Sequence, residues 1–136
     1  MPLANADIER AGIEYVMRLE REAGRHPEDV HLQGFPYDVS SPPRMIEIKA
    51  FGGSARGAPI PLEDRQVKAA REDPENFYVY VVDNITAGDP AKIAVRALHG
   101  PVLRAMLDRA VPHITFWPTL RTSDYDQIAK GVSPGP

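Results

Sequence analysis

The sequence predicts an α/β (α+β) domain in which a mixed β-sheet is flanked by helices. Three observations carry that prediction. An N-terminal stretch repeats apolar residues at three- and four-residue spacing, the mark of an amphipathic helix. The run FYVYVVD at 77–83 is aromatic and β-branched, which suits a buried strand. Helix-like and strand-like segments alternate in the order helix, hairpin, helix, strand, strand, helix, strand.

The first helix is expected over Asp7–Ala23, with Ile8, Ala11, Gly12, Tyr15, Val16, Leu19 and Ala23 on one face. Asn5 or Asp7 suits its start and Gly24 its end. Asp29–Leu32 is expected to be a short strand or a connection. Phe35–Ser40 and Met45–Phe51 read as two strands of a hairpin, because Pro42 and Pro43 between them cannot continue a ladder. Gly52–Gly57 is a flexible loop. A second helix is expected over Pro61–Arg71, with Leu62, Val67 and Ala70 facing inward. After the strand Phe77–Asp83 come a turn at Asn84–Pro90 and a strand over Lys92–Leu98. Pro101 then opens a third helix to Ala110, and His113–Trp117 reads as a last short strand.

Residues 1–130 are expected to form one domain, and 131–136 a disordered tail. Apolar residues at 43% and charged residues at 26% are ordinary for a globular chain. No apolar run approaches the ~20 residues of a membrane span, so no membrane partner is expected. The chain has no cysteine, which excludes disulfides, thiolate zinc sites and a cysteine nucleophile, and fits a cytoplasmic setting. The net charge of −3 argues against purely electrostatic binding of nucleic acid, though not against a local basic face.

The chemistry concentrates in FPYDVSSPPRMIEIKA. Side chains alternate along a strand, so Met45, Glu47 and Lys49 share one face, while Ile46, Ile48 and Ala50 share the other and can enter the core. A hairpin turn at Ser40–Arg44 brings Asp38 across from Glu47 and Lys49. Asp38 and Glu47 are hard oxygen donors that can share a Mg²⁺ or Mn²⁺ with a phosphate. Lys49 can orient water or offset charge growing on phosphorus. Arg65, Lys68 and Arg71 recur every three residues as a basic stripe, and Arg56 lies on the glycine loop; all four are candidate phosphate contacts. The four histidines show no metal-ligand spacing. Phe116 and Trp117 suit a core or a homodimer contact.

Asp38 followed by Glu47-Ile48-Lys49, with Pro36 nearby, resembles the PD-(D/E)XK nuclease signature. A longer series is similar to the "Protein NO VEIN, C-terminal" domain, a family of unknown function placed among PD-(D/E)XK-like folds. Over about residues 11–84 it runs Val16-Met17-Arg18-Leu19-Glu20, Gly24-Arg25, Pro27, Asp29-Val30, Tyr37-Asp38-Val39-Ser40-Ser41, Ile46-Glu47-Ile48-Lys49, Leu62, Gln66, Ala70 and Tyr78-Val79-Tyr80-Val81-Val82. The resemblance implies a restriction-endonuclease-like core and Mg²⁺-dependent hydrolysis of DNA phosphodiester bonds in a restriction or anti-phage setting, with a helicase or other ATPase as partner. It implies that Asp38 and Glu47 hold metal, that Lys49 is catalytic, and that Glu20 leans into the site from the first helix. Gln66 stands where the family often has glutamate, and Val67 where it often has tryptophan. The alternative is a catalytically silent domain of the same fold that binds nucleic acid or a partner protein.

Overall fold

The computed structural model describes residues 5–132. Helix α1 (Asn5–Glu22) is followed by strands β1 (Glu28–Asp29), β2 (Val39–Ser41) and β3 (Arg44–Ala50), then helix α2 (Asp64–Glu72) and strand β4 (Phe77–Asp83). A short 3-10 turn at Pro90–Lys92 leads to β5 (Ala94–Leu98), α3 (Gly100–Arg109) and α4 (Thr122–Gln127). The strands form one mixed sheet in the order β1-β2-β3-β4-β5. Only the β3–β4 pair is parallel, and α2 makes the crossover between them.

The alternation along β3 sorts the core into two layers. Ile46 and Ile48 join Val39, Tyr80 and Val82 against Ile13 and Val16 of α1. Met45 lies on the opposite face with Phe77, Val79 and Val81, packed against Ala70 of α2 and Leu103 of α3. The sheet is therefore covered by α1 on one side and by α2 and α3 on the other. Gly12 lets α1 settle directly on β3, since a Cβ there would stand 2.6 Å from the Cβ of Ala50. Glycine is also required at the end of α1. Gly24 has φ +84°, its N–H donates to Arg21 O, and Arg25 N–H donates to Glu20 O, each at 3.0 Å. This double closure is a Schellman cap.

Several elements depart from expectation. The strand expected over Phe35–Ser40 is ordered only at Val39–Ser41, because Asp38 diverts the ladder with its side chain and Pro36 has no donor to give it. The strand near Asp29 is Glu28–Asp29 and stops before Val30–Leu32 turn away. Helix α2 begins at Asp64 rather than Pro61, where Gln66 Oε1 accepts the Glu63 N–H at 2.9 Å and sets its first turn. No strand forms over His113–Trp117. Pro112 and Pro118 bracket it, and Ile114, Phe116 and Trp117 are 77%, 84% and 88% exposed, so no half-buried sheet surface receives its β-formers. The short helix α4 was not anticipated. Of the expected disordered tail, Gly131 and Val132 are in neither helix nor strand, and 133–136 lie outside the described residues.

Candidate functional site

The site lies where β2 and β3 part. Val39 is paired with Ile46, and the next residue back, Asp38, still donates its N–H to Ile46 O at 2.9 Å. Two residues further along β3, the Ile48 N–H is received by the Asp38 carboxylate instead, Oδ2 at 2.9 Å. A side chain thus replaces a rung of the ladder and is fixed at the mouth of the fork.

Glu47 and Lys49 stand beside it, on the face they share with Val79 and Val81. Glu47 is buried, at 5% exposure, and its Oε2 lies 3.2 Å from Lys49 Nζ. Burial, and then the charge of Asp38, push the Glu47 pKa up to about 7, against the pull of Lys49. Near neutral pH this carboxyl is therefore poised between its protonated and ionised forms, in a space it shares with Asp38 and Lys49. The three side chains line a cleft of about 700 Å³, together with residues from the start of α1 and of α2.

The other expected site residues divide. Gln66 lines the cleft, but its Oε1 caps α2. Arg65 also lines it, held by Glu63 Oε2 at 3.1 Å and by Gly34 O at 2.8 Å. Lys68 pairs with Asp64 along α2 at 3.0 Å, and Arg71 reaches across to Asp108 of α3 at 2.9 Å. Neither of these two faces the cleft, and neither does Arg56, which is exposed on its loop. The expected basic stripe is thus already matched by acids.

Glu20 is placed apart from the trio. It is buried on the α1 side of the sheet, where Arg25 grips it with Nε at 2.6 Å and Nη2 at 2.7 Å, and the Tyr80 hydroxyl donates to it at 3.2 Å. Tyr80 is paired with Ile48 and shares its face, opposite that of Glu47. Burial pulls the Glu20 pKa up, but the hydrogen bonds it receives, those of Arg25 foremost, and the Arg25 charge together outweigh it and hold the carboxyl below its ordinary value. The expected lean of Glu20 into the carboxylate site is not what the structure has.

Two features are not evident from the sequence pattern. One is the Glu20–Arg25 pair, which the Schellman turn creates at a spacing of five. The other is His31, which lines the cleft and is tied to Asp29 two residues earlier. The Asp-x-His spacing was its available signal.

Among the described residues no three His, Cys, Asp or Glu side chains converge as a protein-only metal cage. Two converging carboxylates are nonetheless a donor set that fits Mg²⁺, which is held through one or two carboxylates with water and substrate phosphate supplying the rest. Among the described residues no helix is long and apolar enough to cross a membrane.

Fold and cleft together define a mixed-sheet α/β domain with a carboxylate–lysine site at a strand fork. Residues 8–95 match the family described as Protein NO VEIN, C-terminal, and the chain belongs to that family. The matched span runs from α1 into β5 and includes Glu20, Asp38, Glu47, Lys49 and Gln66. No curated protein and no solved structure matches the chain at a significant level.

Proposed function

We infer that the domain is a metal-dependent nuclease of the PD-(D/E)XK type, hydrolysing DNA phosphodiester bonds in a restriction or anti-phage setting. The observation that carries this is the juxtaposition of Asp38, Glu47 and Lys49 at the fork of β2 and β3, in one cleft. Asp38 and Glu47 are the residues that would hold Mg²⁺ or Mn²⁺. Such an ion, when bound, polarises a phosphoryl oxygen and lowers the pKa of bound water. The chain's own part is positional and electrostatic. Asp38 is oriented by the Ile48 N–H, leaving its other oxygen for a ligand. Glu47 is held in place by burial and Lys49. The Lys49 ammonium, once drawn from Glu47 toward substrate, stabilises charge growing on the phosphoryl oxygens. A helicase or other ATPase as partner fits this class of activity, and it would open or translocate the substrate.

One observation favours a second class of function. Glu20 is bound by Arg25, and Gln66 is engaged in capping α2, so neither reinforces the trio. A catalytically silent domain that binds nucleic acid or a partner protein would tolerate both arrangements.

Nicking of supercoiled plasmid with Mg²⁺ or Mn²⁺ decides between them. Lys49→Ala is expected to reduce nicking by ~10²–10³-fold, the range for loss of one transition-state charge partner. Its fold should persist, because Ile46 and Ile48 carry the packing of β3. If wild type and Lys49→Ala are equally inert on unmodified and modified DNA, with any neighbouring ATPase present, the nuclease assignment fails and the binding role replaces it.

A further inference from the structure

We propose that His31, oriented by Asp29, binds a backbone phosphate of the nucleic acid in this cleft, next to the phosphate that Asp38, Glu47 and Lys49 address; this rests on the nuclease assignment above. The chain holds His31 beside the fork by the bond from Val30 N–H to Asp38 O, at 2.9 Å. Asp29 Oδ1 then receives both the His31 backbone N–H at 3.1 Å and its Nδ1 at 2.5 Å. With Nδ1 engaged, the ring orientation is fixed, and Nε2 has no hydrogen-bond partner among the described residues. A carboxylate that fixes one imidazole nitrogen prepares the other for a ligand.

The charge balance of the cleft gives that nitrogen its use. Glu9, Asp38, Glu47 and Glu63 all line it, and its two cations, Lys49 and Arg65, already face Glu47 and Glu63 at 3.2 and 3.1 Å. A phosphate entering such a cleft requires a further donor. Protonated His31 supplies one without breaking its pair with Asp29, since an imidazolium donates from both nitrogens. The hydrogen bond to Asp29 of β1 raises the His31 pKa, slight burial opposes this, and the charges of Asp29, of Asp38 and of Glu9 on α1 add to the rise.

The test measures binding of a short DNA duplex by fluorescence anisotropy in the Lys49→Ala chain with Mg²⁺, so that cleavage does not intervene. His31→Ala is expected to weaken binding by about tenfold, as loss of a charge-assisted hydrogen bond does, and to lower the salt slope by about 1. His31→Arg should retain most of the affinity. Asp29→Asn should fall between wild type and His31→Ala. In the cleaving chain, His31→Ala should raise KM more than it lowers kcat. The thermal midpoint should not move, because His31 is on the surface. If the parent chain binds DNA and His31→Ala binds it equally well with the same salt slope, the inference is wrong and the nuclease assignment stands. If the parent chain binds neither DNA nor RNA, the nuclease assignment fails and the inference goes with it.

Discussion

At the scale of single residues, Glu47 carries the sharpest conflict in the molecule. Its carboxyl is buried, faces the charge of Asp38 and is only partly relieved by Lys49. The folded-state pKa of about 7 lies above the ordinary 4.5, so the folded chain holds this proton more tightly than the unfolded chain does. Stability from this group is therefore fully present below the unfolded value and is lost as pH rises through the folded one. The difference is on the order of 3 kcal/mol. In divalent-free buffer, the melting temperature should fall between about pH 5 and about pH 8. Glu47→Gln should flatten that fall and melt higher than wild type at the alkaline end, while losing the proposed nicking activity. On the proposed function, in which Mg²⁺ would bind the ionised pair, the metal should raise the wild-type midpoint more at alkaline than at acid pH. Asp38→Asn should remove that gain. Calorimetry in which Glu47→Gln keeps the wild-type pH slope would show that Glu47 does not hold the proton assigned to it.

At the scale of elements, α1 approaches β3 closely at Gly12. Alanine at position 12 should favour the helix by about 1 kcal/mol on propensity alone. The contact decides otherwise, because the new Cβ would meet Ala50 Cβ at 2.6 Å with backbone behind it. Gly12→Ala is expected to destabilise by about 1–3 kcal/mol as an overpacked contact. Adding Ala50→Gly should recover part of that loss, and chemical denaturation of the four-member cycle should show coupling of ~0.5 kcal/mol or more. Additive effects would mean that helix and strand are not in this contact. The elements that periodicity describes were legible: the apolar repeat located α1, alternation placed Glu47 and Lys49 on one face of β3, and FYVYVVD was β4 to the residue. The failures share a cause, which is local chemistry that hydropathy does not encode. Asp38 delays the start of β2 by taking a backbone N–H, and Gln66 starts α2 by accepting one. The Schellman turn after α1 gives Glu20 to Arg25. His113–Trp117 has the composition of a strand and finds no neighbouring strand to pair with among the described residues.

At the scale of the whole molecule, the packed body closes with α3. Leu103 is 4% exposed and seals the face formed by Ala70, Phe77, Val79 and Val81. Beyond it the chain buries little: Val111, Ile114, Phe116, Trp117, Leu120 and Ile128 are each at least 62% exposed, and α4 has no buried residue. The family match also ends earlier, at residue 95. Burial stabilises at roughly 25 cal/mol per Å² of apolar surface removed from water. A segment that removes almost none contributes almost nothing to the fold. Ending the chain after Ala110 should therefore shift the melting temperature by less than about 2 °C, which corresponds to well under 1 kcal/mol for a domain of this size. It should also reduce self-association in light scattering, since most of the exposed large hydrophobic side chains among the described residues lie in the removed segment. Leu103→Ala is the contrasting change. It opens a cavity between α3 and β4 and should cost about 2–5 kcal/mol. If the truncation proved as damaging as Leu103→Ala, residues 111–132 would have to pack against the body in solution, and the boundary of the stable domain would move from α3 to α4.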